Sequence, residues 1–462
     1  MTEPLDWTLI QAAGAIRDKQ ISSRELTDLA IERAETLQPS LNSFIAIETE
    51  SARAAARSAD EALAAGRPLG PLHGVPLAHK DMYDRAGEVT GCGSEIRKSE
   101  IASRTATVIE RLDAAGQTHL GRLNMSEFAM GPTGFNAHFG RACNPLDPAR
   151  IAGGSSSGSG SAVGSNTVFA ALGSDTGGSI RLPAACCGVV GLKPTQGRVS
   201  RFGAMPLSHS LDCVGPLARS VADARLITRL ISGADDRDPA CLDTAPIPVE
   251  GPAVGDLTIA IPDSGFFTED LAPEVAAFLT EAETILTKAG ATIVRPKLPP
   301  LEDVIELANL VAMTEAGAIH LDTMRARPED YGEQVRARLI QGLGVPAPIY
   351  LRALQIKGVF LERFMAEVLS ECDAVLTPTM PSLPPISADV EVGGSEAMTR
   401  VMVSIAKFTR VFSFLGLPTL SVPGPITTGG LKASVQIAAA PFAEDVACSI
   451  GEAIEQALSE GR

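Results

Sequence analysis

Two stretches of this chain combine glycine turns with repeated hydroxyls: IAGGSSSGSGSAVGS at 151–165 and LGSDTGGSIRLPAACCGVVGLKP at 172–194. A serine hydroxyl is a poor nucleophile near neutral pH, so a serine enzyme must place a base beside it. Histidine is the common base, yet His73, His79, His119, His138, His209 and His320 fall in no familiar constellation. Lys80 ends the strand-like run GVPLAHK just before the polar DMYD, which makes a lysine the better candidate. Read together, the two turns and Lys80 point to a hydrolase.

That chemistry sets two further requirements. An ammonium has no lone pair to accept a proton, so Lys80 must be held neutral by burial or hydrogen bonding. Attack on an amide carbonyl also builds negative charge on oxygen, and fixed backbone N–H groups typically stabilise it by about 3 kcal/mol each. Thr176, Gly177 and Gly178 suit that role, because consecutive glycines let the backbone adopt positive φ and converge several N–H groups. Asp175 and Arg181 flank the turn with opposite charges and are expected to pair and brace it.

Other readings compete. Out of context, GGSSSGSGS resembles a flexible linker, but here it leads into the apolar-rich AVGSNTVFAALGSDTGG. Gly154, Ser156 and Gly158 satisfy the G-x-S-x-G elbow of α/β-hydrolases, without an acid and histidine in a recognisable setting. Ser404 and Lys407 form an S-x-x-K pair without the S-D-N and K-T-G elements that accompany it in penicillin-recognising enzymes. No H-E-x-x-H, paired C-x-x-C, EF-hand loop, Walker loop or dinucleotide fingerprint stands out, so neither a metal nor a cofactor is expected.

The spacing of the pieces closely resembles the amidase signature family, from about Pro71 through Leu217, with LTPTMP at 376–381 and GLPTLSVP at 416–423 also fitting. The resemblance implies a Ser-cisSer-Lys triad. Carried over position by position, Ser179 is the nucleophile, Ser155 the bridging serine after a cis Gly154–Ser155 bond, and Lys80 the base. It also implies the oxyanion hole at Thr176, Gly177 and Gly178. A hydroxyl both donates and accepts, so Ser155 can relay a proton from Ser179 to Lys80.

Composition bounds the rest. At 462 residues, two or three domains would be the default, but no stretch behaves as a clean linker. A single amidase domain over 1–462 is therefore expected, with N-terminal helices over 1–65, a signature core over 66–220 and a helical substrate-entrance region over 300–370. The fold class is α/β: a large mixed, mostly parallel central sheet with helices on both faces. Ser22 and Glu25 form a capping box that starts a helix. A net charge of −16 opposes binding to nucleic acid or anionic membrane surfaces. Eight scattered cysteines read as reduced thiols. Without a secretory leader or a long apolar run, a cytoplasmic enzyme is expected; a homodimer is a family-level expectation.

The expected substrate is a small-molecule amide, with carbamate or ester as further possibilities, and Met130 and Phe135 are candidates for an apolar pocket. One alternative is the glutamine-hydrolysing A subunit of a tRNA-dependent amidotransferase, which SRFGAMPLSHSLDCVGPLARS at 200–220 resembles. An approximate alignment places Gly358 and Ala406 where that protein carries an arginine and an aspartate for the α-carboxylate and α-amine, so both charges are expected to be absent. A non-catalytic scaffold subunit is the alternative of another class, against which the intact Lys80, Ser155 and Ser179 set argues.

Overall fold

The computed structural model describes residues 3–67, 69–391 and 396–460, with side chains at 396–399 outside the description. The ends of the expected 1–462 domain thus lie outside the described residues. Eleven strands form one sheet: β1 (Phe44–Ile47), β2 (Pro76–Lys80), β3 (Thr118–Leu123), β4 (Ala170–Asp175), β5 (Val190–Lys193), β6 (Cys213–Ala218), β7 (Thr258–Ala260), β8 (Thr292–Val294), β9 (Ala374–Pro378), β10 (Thr419–Ile426) and β11 (Lys432–Ala439). Their order is β1-β3-β2-β4-β6-β5-β10-β11-β9-β7-β8.

The large mixed sheet is as expected, but parallel pairing is confined to β3-β2-β4 and to β9-β7-β8. The centre, from β4 through β6, β5, β10 and β11 to β9, is antiparallel, so "mostly parallel" is corrected. The physical reason lies in the connections. Helix–strand alternation along the chain suggests parallel crossovers, whereas β10 and β11 are joined by the short Thr427–Leu431 turn, which can only make a hairpin. Every residue of β2, β4, β5, β6 and β9 is buried, as strands covered on both faces must be.

The glycine- and serine-rich run is no linker. Ser155, Ser156, Ser157, Ser159 and Ser161 are all fully buried, and Ser157–Gly164 is a helix. Its glycines are there for close approach: a Cβ on Gly158 would lie 2.3 Å from the Ser43 carbonyl oxygen, and one on Gly160 would lie 2.9 Å from that of Pro183. The helix hydroxyls donate to neighbouring backbone, Ser159 to the Leu172 carbonyl and Ser161 to that of Cys143. A composition that reads as flexible is thus what a tightly enclosed helix needs. At the N-terminus, the Ser22 and Glu25 capping box opens the helix Ser23–Leu41.

Candidate active site

Parallel pairing of β2 with β4 sets Ala78 opposite Ala171 and His79 opposite Leu172. The C-terminal ends of both strands therefore reach the same edge, where Lys80 closes β2 and Asp175 closes β4. The enclosed serine run passes beside them. Lys80 Nζ lies 2.7 Å from Ser155 Oγ and 2.8 Å from Ser174 Oγ. Burial pushes Lys80 down to about 7, overcoming the opposing pull of the Asp212 and Asp175 carboxylates. A substantial share of this lysine is neutral near physiological pH and able to accept a proton.

The Gly154–Ser155 peptide is cis. The Ser155 carbonyl accepts from the Ser126 N–H at 3.1 Å, and the next N–H, of Ser156, donates to the Ser179 carbonyl at 3.4 Å. Ser179 is half-buried on the turn after β4 and faces a cleft. Its hydroxyl has no hydrogen-bond partner among the described residues, so it is free to turn toward Ser155. Ser156, the centre of the alternative elbow, is fully buried with its hydroxyl bonded to the Ser174 backbone. The Ser404 and Lys407 pair is likewise set aside: Ser404 is exposed, while Lys407 Nζ stacks 4.9 Å over the Phe266 ring.

The turn itself is braced from behind. Asp175 receives the Arg181 Nε and Nη2 at 3.0 Å each, and both side chains are completely buried. Nη1 donates to the Gln436 side chain, and the second Nη2 proton is shared between the Thr409 carbonyl and Ser413 Oγ. Paired with this cation, the Asp175 carboxyl stays below its ordinary range despite burial. Asp175 also accepts the Gly178 N–H at 2.8 Å. That bond gives the Gly178 N–H an acceptor within the brace. Among the described residues, the N–H groups of Thr176, Gly177 and Ser179 remain without an acceptor. Gly178 instead serves by its shape, at φ +129 and so close to Thr409 that a Cβ would lie 2.2 Å from that hydroxyl.

The cleft lined by Ser179 is narrow, with a cavity volume of about 50 Å³. Ala129, Gly131 and Pro132 form one wall, in place of the expected Met130 and Phe135. Successive positive φ angles at Phe128 and Ala129 turn the chain there, and Met130 packs into the core with 1% exposure. The helices Glu302–Ile319 and Glu333–Leu343 supply the opposite wall, including Asn309, Met313 and Arg338. The helix Lys407–Leu415 adds Arg410, with Ala406 just before it.

Gly358 is not part of this cleft: it is exposed on the helix Ala347–Glu367 with open space around it. Arginines at two other positions, Arg338 and Arg410, line the cleft. The successive helices of this region carry few turn or motif residues to fix a register by, so a one-helix offset leaves no trace in the sequence. Ala406 does line the cleft, and no carboxylate is among its lining residues. Ser174 was also missed, although it sits inside the LGSDTGGS motif, one residue before Asp175. Asp212, which receives Thr176 Oγ1 and the N–H groups of Leu207 and Ser208, carries no local sequence signal.

Comparison with known proteins identifies the family and the fold. The family model described as Amidase matches residues 25–448. The A subunit of the glutamyl-tRNA(Gln) amidotransferase of Methylococcus capsulatus is 36% identical over 97% of this chain and 96% of its own. A solved structure reported as a vestigial protein complex bearing on the origins of an s-triazine catabolic enzyme superposes with a TM-score of 0.90, at 34% identity and 98% coverage of both chains. The peptide amidase of Stenotrophomonas maltophilia superposes with a TM-score of 0.84, at 28% identity over 98% of this chain and 97% of its own.

Proposed function

The chain belongs to the amidase family, and from that premise we propose that it hydrolyses the carbon–nitrogen bond of a small amide through Ser179, Ser155 and Lys80. The observation that carries this reading is the contact of a lysine, held near neutrality by burial, with Ser155, beside a half-buried Ser179 that opens on a cleft. As Ser179 Oγ attacks the carbonyl carbon, its proton passes to Ser155 and that of Ser155 passes to Lys80 Nζ. The tetrahedral oxyanion takes hydrogen bonds from the free N–H groups at Thr176, Gly177 and Ser179. Lys80 then returns a proton through the same relay to the departing nitrogen, leaving an acyl-enzyme. Water attacks along the same path and frees the acid. A carbamate or ester carbonyl can use the same machinery.

Intact mass after exposure to a broad serine-reactive fluorophosphonate tests the assignment. One adduct is expected on the native chain and none on Ser179→Ala or Lys80→Ala; labelling that survives Ser179→Ala would move the nucleophile elsewhere. Panels of amides, anilides and carbamates would then define the substrate.

A second reading, the glutamine-hydrolysing component of an amidotransferase, draws on the 36% identity to such a protein and on the arginine in the cleft. The cleft's lack of a carboxylate for an α-amine weighs against it, as does the chain's net charge of −16 for a tRNA partner. Glutaminase activity that depends on a second protein would favour it.

A further inference from the structure

Two arginines share the cleft with Ser179, and among the described residues no acid lines it. Arg410 is only 7% exposed, and its Nη1 has no hydrogen-bond partner. Its side chain lies along the oxyanion turn, where a Cβ on Gly177 would sit 3.5 Å from its Cγ and 3.7 Å from its Nε. Arg338 is half-buried on the facing helix. Burial pushes Arg410 down to about 10, and burial together with the neighbouring Arg410 charge pushes Arg338 down to about 9. Neither arginine makes an ion pair among the described residues.

The other arginines as buried as Arg410 are matched, Arg181 by Asp175, Arg198 by Glu444 and Arg225 by Glu452, while half-buried Arg219, outside the cleft, lies over the Phe169 ring instead. A buried cation left without an anion is costly, and two that repel each other are costlier still. Such a cost is concentrated where a ligand can offset it. Guanidinium groups suit a carboxylate, whose two oxygens match their planar fork. Because Arg410 lies against Gly177, an anion held by it would sit close to a carbonyl bound at the turn.

Resting on the reading of Ser179 as the nucleophile, we propose that the substrate is a short dicarboxylic acid monoamide whose free carboxylate is held by Arg338 and Arg410. Hydrolysis breaks the C–N bond, joins the water oxygen to the acyl carbon and releases ammonia and a dicarboxylate. An α-amine on the same substrate meets two cations and no acid, so an amino acid amide such as glutamine is a poor fit.

The test compares kcat/KM for malonamate, succinamate and glutaramate with those for propionamide, butyramide and L-glutamine. The best carboxylate-bearing amide should exceed its methyl-ended counterpart by about 100-fold, since a buried charge left unpaired by the wrong substrate is strongly penalised. Arg410→Met should remove most of that preference, chiefly through KM. On the native chain, succinate should slow fluorophosphonate labelling of Ser179 and raise Tm, while butyrate should do neither. Normal labelling with no succinate protection and equal turnover of neutral amides would overturn the proposal and leave the nucleophile standing. No labelling alongside a succinate-dependent rise in Tm would uphold the anion site and overturn the catalytic reading.

Discussion

The two sides of the Ser179 turn treat charge in opposite ways. Behind it, Asp175 and Arg181 are completely buried and matched, and their hydrogen bonds close through Gly178, Ser413 and Gln436. In front, Arg338 and Arg410 line the cleft unmatched. The closed side holds a geometry, whereas the open side awaits a partner. On the proposed reading, the same fold separates the part that does chemistry from the part that chooses what it acts on.

Substitutions at the turn, its relay and the brace behind it should be the most damaging. Ser179→Ala is expected to lower kcat by about 10⁴- to 10⁶-fold, leaving only binding and oxyanion stabilisation. Steady-state assays on the best amide would measure this, and a loss below tenfold would refute the assignment. Ser155→Ala breaks the relay but leaves Ser179 and the donors in place, for an expected loss of about 10²- to 10⁴-fold. Asp175→Asn strands Arg181 in the interior and should cost about 3–5 kcal/mol in urea unfolding, the usual penalty for breaking a buried pair.

Milder effects sharpen the contrast. Lys80 must be neutral to act, so kcat/KM should fall about tenfold per pH unit below pH 7 and level off above it. A flat profile from pH 6 to pH 9 would exclude the lysine base. On the open side, Arg410→Met should leave unfolding stability within about 1 kcal/mol of the native chain or raise it, because it removes a charge that has no partner. A loss as large as that of Asp175→Asn would erase the distinction between the two sides.

Legibility in the sequence follows the same division. The closed side falls within short motifs, so the pairing of Asp175 with Arg181 could be read from the charges flanking the turn, and Lys80, Ser155 and Ser179 were singled out there by the family resemblance. The open side is assembled from helices more than 100 residues beyond the nucleophile. Which face of such a helix points at the turn depends on packing, and Gly358 was mistaken for a cleft residue for that reason. Met130 was misjudged differently, since a local turn at Phe128 and Ala129 sent it into the core. The sheet's antiparallel centre escaped because β10 and β11 pair across the sheet with strands from distant parts of the chain.

The helix Lys407–Leu415 touches both sides at neighbouring residues. Thr409 Oγ1 donates to the Gly177 carbonyl at 2.7 Å, while Arg410 lines the cleft. On the proposed reading, substrate choice and oxyanion alignment therefore hang on one helix. Sliding or rotating this helix to admit a new substrate would drag the turn with it and spoil the chemistry. Descendants of this enzyme that change diet would have to do so by exchanging side chains at 406 and 410 on a fixed backbone, a route open to single point mutations and closed to larger rearrangements.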